Sequence, residues 1–241
     1  MKEHKILLLD IETSPIIGYT WGLYEQNVIK RIKSFTILSV AYKWLGEKEV
    51  FVIACDSLSE RQLLVKLRSL MDEAEIIIAH NGDSFDIKKI NARMIVHRIP
   101  PYSPIRTIDT KLEAKKIAAF DSNSLNNLGI DLSEGEKIEH RGFPMWEGCL
   151  KGNQKDWDSM KSYNKGDVEL LEDIYYRLRP WMKSHPVVSH GVNCPKCGLD
   201  HLRRAGSRIT GTMVYQRYQC KGCGGYARAT KGERNSEVIS Q

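Results

Sequence analysis

Apolar and polar positions along most of the chain switch between two periods. Short apolar runs bounded by charge predict strands at Lys5–Asp10 (K-I-L-L-L-D), Thr36–Trp44, Glu49–Ala54 and Ile76–Ala79. The segment Leu45-Gly46-Glu47-Lys48 predicts a hairpin turn between the second and third, and His80-Asn81-Gly82 a turn after the fourth. Helical spacing takes over in Ser59–Met71, where Leu63, Leu64, Leu67, Leu70 and Met71 form one stripe behind an N-cap at Ser57 or Ser59. Phe85–Val96 predicts a second helix and Ser124–Leu128 the start of a short one. Trp157–Met182 predicts the longest, stopped near Pro180 and Pro186. Three antiparallel strands, then a helix and a parallel strand, predict an α/β fold with a mixed sheet and flanking helices.

Periodicity fades after Met182. Residues 1–183 are expected to form the main domain, 184–191 a linker, 192–231 a small module and 232–241 a polar, flexible tail. With 41% apolar and 27% charged residues in 241, the chain has enough apolar residues for a sizeable core. No run is long enough to predict a membrane span. The opening Met-Lys-Glu-His-Lys and its four following apolar residues are too short for a secretory signal, so a cytoplasmic location is expected.

Charge is unevenly placed. The formal net charge is +6, and residues 191–241 hold nine basic against three acidic side chains, so the whole excess lies there. A basic module joined to a neutral one points to a polyanionic partner, nucleic acid above all.

Candidate chemistry begins at the first strand. Asp10 and Glu12 are two apart, so on a strand they share a face at the end of a buried run. Two carboxylates held side by side repel, and a divalent cation is the usual compensation. Asp86 opens the helix that follows another strand. Asp167 lies in the long helix four residues after Tyr163, on the same face. Converging carboxylates suit Mg²⁺ or Mn²⁺. Two such ions about 4 Å apart activate a water and stabilise the departing oxygen of a phosphodiester. Asp83 is the alternative to Asp86 but suits an N-cap better. His80 reads as a hydrogen-bonding residue at a strand end, and Asp109 as structural or a substrate-side contact.

Cys194-x-x-Cys197-Gly and Cys220-x-x-Cys223-Gly, 22 residues apart, form two matching knuckles. Four thiolates in this spacing predict one structural Zn²⁺ in a zinc ribbon, with no open position for catalysis. Cys55 and Cys149 are left over and read as inert thiols. The ribbon carries Arg203, Arg204, Arg208, Arg217 and Arg228 interleaved with Tyr215, Tyr218 and Tyr226. Basic side chains among stacking aromatics suit single-stranded nucleic acid.

Three motifs in order, Asp10-Ile-Glu12, Asn81-Gly-Asp-Ser-Phe85-Asp86 and Tyr163-Asn-Lys-Gly-Asp167, resemble the D-x-E, N-x-x-x-F/Y-D and Y-x-x-x-D signatures of DEDD-type 3′–5′ exonucleases of the RNase H-like superfamily. The tyrosine resembles the DEDDy branch. The resemblance runs from about Lys5 to Met182. It implies an RNase H-like mixed sheet and two-metal-ion hydrolysis of DNA from the 3′ end, favouring single-stranded or frayed ends and releasing nucleoside 5′-monophosphates. It also implies roles. Asp10 would bridge both ions, Glu12 and Asp167 would complete one site, Asp86 would support the other, and Tyr163 would orient the attacking water. Thr13, Asn81 and Phe85 would contact the substrate end. Outside the resemblance, the charge and rings of the ribbon make Arg203, Arg204, Arg208 and Tyr218 the residues expected to hold the polymer. An exoribonuclease and a non-catalytic nucleic-acid adaptor remain the alternatives. DNA is the favoured partner, a membrane is not expected, and partner proteins of replication or repair stay unspecified. The inserted stretch Ser14–Phe35, with Trp21, Tyr24, Lys30, Arg31 and Lys33, departs from the pattern. It is either a substrate-guiding loop or a core-covering insertion.

Overall fold

A computed structural model describes residues 4–24, 27–189 and 191–234. The chain divides into two compact units, residues 1–174 and 175–241. The elements run β1 (Ile6–Thr13), β2 (Ile17–Tyr19), β3 (Lys30–Lys33), β4 (Ile37–Trp44), β5 (Phe51–Ala54), α1 (Glu60–Glu73), β6 (Ile76–Ala79), α2 (Asp86–Val96), β7 (Arg106–Asp109), α3 (Thr110–Ile117), α4 (Leu125–Asp131), α5 (Phe143–Leu150) and α6 (Gln154–Leu178). After these come β8 (Leu202–Ile209), β9 (Met213–Cys220), β10 (Tyr226–Arg228) and β11 (Glu233–Arg234).

Five strands form a mixed sheet in the order β5-β4-β1-β6-β7, so the mixed α/β expectation holds. β1 pairs antiparallel with β4 and parallel with β6, which puts it at the centre. That position explains why Leu7, Leu8 and Leu9 are all buried. Leu7, Leu9 and Ile11 pack with Leu63, Leu64, Leu67 and Met71 of α1 and Ile90 and Met94 of α2. A second cluster joins Leu38 to Met145, Cys149, Trp157, Met160 and Tyr163.

Polar links hold the layers in register. Ser59 caps α1 in a capping box with Gln62. The Glu60 carboxylate accepts from the Ile37 amide at 2.8 Å and from Arg93 at 2.8 and 2.6 Å, so one side chain joins α1, β4 and α2. Lys43 of β4 pairs with Glu172 of α6 in a buried ion pair.

Several expectations shift. The long helix starts at Gln154 and ends at Leu178, ahead of Pro180. α3 and α5, β7, and the paired strands β2 and β3 were not anticipated as elements. The β2–β3 hairpin exposes Tyr19, Trp21, Leu23 and Tyr24, with Trp21 88% accessible, so this stretch does not cover the core. The core-covering reading is therefore corrected. Asp83 does not cap α2: Phe85 stands at the N-cap with no side-chain bond, and the Asp83 amide instead donates to the Asp109 carboxylate at 3.2 Å.

In the second unit β9 is central, flanked by β8 on one edge and by β10 and β11 on the other. The Val188 amide donates to the Pro195 carbonyl at 2.8 Å, tying the segment before the first knuckle to the knuckle itself. Glu233 and Arg234 pair with β9; the flexible-tail expectation for residues 235–241 lies outside the described residues. Among the described residues no helix is long and apolar enough to cross a membrane.

Candidate active site

Asp10 and Glu12 stand on the face of β1 turned towards α6, opposite Ala41 and Ser39 of β4. A register shift follows at Glu12/Thr13, where the strand leaves the ladder. Asp167 comes from α6. Carboxylate oxygens of Asp10, Glu12 and Asp167 lie within 4.8 Å of one another. Asp86, the first residue of α2, accepts from the Ile11 amide at 3.1 Å, between the two β1 carboxylates.

The turn that presents Asp86 is shaped by Asp109. Its carboxylate accepts from the amides of Asn81 and Asp83 and from Lys111 and Leu112 at the start of α3. Asn81 adopts φ 64°, and Gly82 passes so close to Ala79 that a Cβ there would meet the alanine methyl at 2.4 Å. His80 bonds Thr110 and the Asn123 carbonyl and is held down to about 4 by burial, which leaves it neutral. Asn81 and Phe85 lie on this turn, with Phe85 partly exposed beside Lys89, while Thr13 ends β1. Arg203, Arg204, Arg208 and Tyr218 lie on β8 and β9 of the second unit.

Electrostatically the site is poised for positive charge. Burial, then the carboxylates of Asp86, Glu12 and Asp167, push Asp10 well above the usual carboxyl range. Burial and the neighbouring Asp167 push Glu12 to about 8, and burial takes Asp86 to about 7. Burial also raises Asp167. One cation is supplied by the protein itself. Lys137 Nζ lies 2.6 Å from Asp167 Oδ2 and 4.6 Å from the centre of the Tyr163 ring. Burial opposes its charge, but the Asp167 carboxylate and Tyr163 phenol outweigh that and keep it above the ordinary lysine range.

The sequence reading missed four residues here. Asn164 is fully buried: its amide donates to Asp10 Oδ2 at 2.7 Å and accepts from Ser39 Oγ at 2.9 Å, fixing the Asp10 carboxylate from α6. Its place three residues before Asp167 was the available signal. The Trp146 side chain lies beside Glu12 and opposes the rise of its carboxyl. His140 packs edge-on against Tyr163 at 4.6 Å. Lys137 and His140 sit in an irregular stretch with no periodicity to read. They line, with Ile138, Glu139 and Tyr163, a cavity of about 370 Å³.

The donor set fits hard divalent cations. All the ligand atoms on offer are carboxylate oxygens, and the buried Asp167 Oδ1 has no hydrogen-bond partner. In the second unit the Sγ atoms of Cys194 and Cys223 are 3.8 Å apart and those of Cys197 and Cys220 3.7 Å. Four sulfurs about 2.3 Å from one tetrahedral ion lie about 3.8 Å apart, so these thiols fit zinc.

Comparison with solved structures finds a family B DNA polymerase from the hyperthermophilic archaeon Pyrobaculum calidifontis. The TM-score is 0.54 and the identity 10%, over 75% of this chain and 26% of that one. The likeness concerns the fold, and the chain spans about a quarter of that polymerase. No curated protein matches. The protein-family comparison matches residues 7–179, the part of the chain that carries the mixed sheet and all four carboxylates. The chain belongs to the RNase_H superfamily.

Proposed function

We propose that the chain is a divalent-cation-dependent 3′–5′ exonuclease acting on DNA, with single-stranded or frayed ends preferred. Superfamily membership supports a nuclease in general terms. The observation that carries the reading is the convergence of Asp10, Glu12 and Asp167 around an unpartnered buried oxygen, with Asp86 anchored beside them. Asp10, Glu12, Asp86 and Asp167 would hold Mg²⁺ or Mn²⁺. Bound there, the cations supply an acidified water and charge stabilisation for the leaving oxygen.

The chain's own residues do the rest. Asn164 fixes one oxygen of Asp10 and leaves the other for a ligand. Tyr163, its phenol pushed up to about 12 by burial, stays protonated and can donate to Asp167 or to a water beside it. Lys137 keeps a positive charge against Asp167. Thr13, Asn81 and Phe85 form the edge against which a terminal nucleotide rests. The β2–β3 hairpin offers aromatic and basic side chains to guide a strand. The ribbon, held by Zn²⁺ on Cys194, Cys197, Cys220 and Cys223, grips the polymer, and a cytoplasmic location goes with these reduced thiols.

Incubation of 5′-labelled single-stranded and duplex DNA and matched RNA with Mg²⁺ or Mn²⁺ tests this. The expected result is a ladder shortened from the 3′ end, stronger on single-stranded DNA and absent in Asp10→Asn. Faster digestion of RNA would make the protein an exoribonuclease. Binding without cleavage of any substrate would leave it a nucleic-acid adaptor and refute the catalytic reading.

A further inference from the structure

The ribbon sheet is two-sided, and its register sorts the side chains. Cross-strand partners share a face, as do alternate residues along a strand. Gln219, Arg217 and Tyr215 of β9 therefore lie together. Opposite them are Arg203 and Tyr226 (both against Gln219), Arg228 (against Arg217) and Arg208 (against Tyr215). The contacts agree. Arg203 bonds the Gln219 side chain at 2.5 Å, and Arg228 and Arg217 stack on Tyr215 and Tyr226 at 4.1 and 5.5 Å. The other face carries Leu202, Arg204, Tyr218, Val214 and the buried zinc thiol Cys220, together with Glu233. The first face thus points away from the zinc core. Among the described residues it bears five exposed arginines, Arg234 of β11 (against Met213) included, and no carboxylate.

We propose that this arginine–tyrosine face of the β8–β9–β10 sheet is the surface on which a single-stranded polynucleotide lies, and that Arg204 and Tyr218, on the reverse face, take no part. The proposal rests on the reading of the protein as a nuclease and locates its polymer grip. Guanidinium groups stacked on phenol rings keep their N–H edges directed outward, where phosphate oxygens pair with them. The rings offer π-faces to bases without regard to sequence. A lipid surface would instead need apolar side chains to insert, and Tyr226 is the one large apolar side chain exposed on this face among the described residues.

Arg208 and Arg204 make a matched pair: both lie on β8, both are exposed, and they differ in face. Binding of a labelled oligothymidylate to the zinc-loaded full chain is measured by anisotropy across a salt series, with no added divalent cation and no chelator. Zinc content is checked for each variant. Arg208→Glu is expected to weaken binding about tenfold at low salt and reduce the salt slope by about one. Tyr226→Ala should weaken it about tenfold with the slope unchanged. Arg204→Glu, with the same charge change, should stay within about twofold. Equal losses in Arg204→Glu and Arg208→Glu would overturn the face assignment, as would unaltered binding in all three variants. Tighter binding to phosphatidylglycerol vesicles than to the oligomer would overturn it in favour of a membrane. An oligouridylate arm shows whether the face distinguishes RNA from DNA; face-selective losses with either polymer support it. Cleavage by the same proteins is scored separately. Face-selective binding without cleavage would uphold this inference while refuting the exonuclease, and cleavage without face-selective binding would do the reverse.

Discussion

At the scale of single residues, the site is a cluster of acids buried at a cost that bound cations would offset. The raised carboxyls predict a definite pH dependence. A carboxyl that titrates near pH 4 when unfolded and near 8 when folded, as Glu12 does, destabilises the metal-free protein as pH rises through that window. Metal-free Glu12→Gln should therefore melt a few degrees above the parent at pH 8.5, with the difference gone at pH 5 and reversed by saturating Mn²⁺. Thermal melts across pH check it, and a pH-independent difference would contradict it. Asn164→Ala leaves Ser39 and Asp10 without their buried partner. It should cost about 1–3 kcal/mol of stability and lower the cleavage rate at least about tenfold, measured by denaturant melts and initial rates. The acids were legible because each sits in a short motif within a regular element. Lys137 was not, since an irregular stretch gives no period from which to infer where a side chain lands. His140 was missed for the same reason, and Trp146 because its helix α5 was itself not anticipated.

At the scale of elements, strand β1 and helices α2 and α6 bring the acids together, and the turn before α2 sets the position of Asp86. Gly82→Ala would drive a Cβ into Ala79, whose methyl cannot rotate away. The variant should lose about 1–3 kcal/mol of stability and most of its cleavage rate, with Mn²⁺ affinity reduced, and full activity would refute this account of the turn. The strands with unbroken apolar runs and the helices with clear stripes, β1, β4, β6, α1 and α2, were readable from the chain. β7 has a mixed run, Arg-Thr-Ile-Asp, of which only Ile108 and Asp109 are buried, beside β6. The β2–β3 hairpin buries little and so leaves no hydrophobic pattern to detect. The N-cap expected of Asp83 failed because α2 starts three residues later, behind Phe85, and Asp83 lies in the preceding turn, where its amide is held by Asp109, distant in sequence. Tertiary bonds of this kind leave no local trace.

At the scale of the whole molecule, the proposed function would divide the work between two units. One carries the carboxylates, and the other carries the charge excess on a small sheet held by four thiols. A sheet of this size buries too little to fold unaided, so zinc would supply its stability. Chelation should release about one equivalent of zinc and abolish the salt-dependent part of polymer binding. Slow cleavage of short substrates should survive when Mg²⁺ is added back, because the core of the first unit is independent of those thiols. Complete loss of cleavage would contradict that division. The account as a whole stands on the carboxylates as cation ligands. Calorimetric titration of Mn²⁺ into the zinc-loaded protein at pH 8 tests this most directly. Saturable binding is predicted for the parent, weaker at pH 6 where protons compete, and lost in Asp10→Asn and Asp167→Asn. A parent that binds no Mn²⁺, or variants that bind it equally well, would contradict the account.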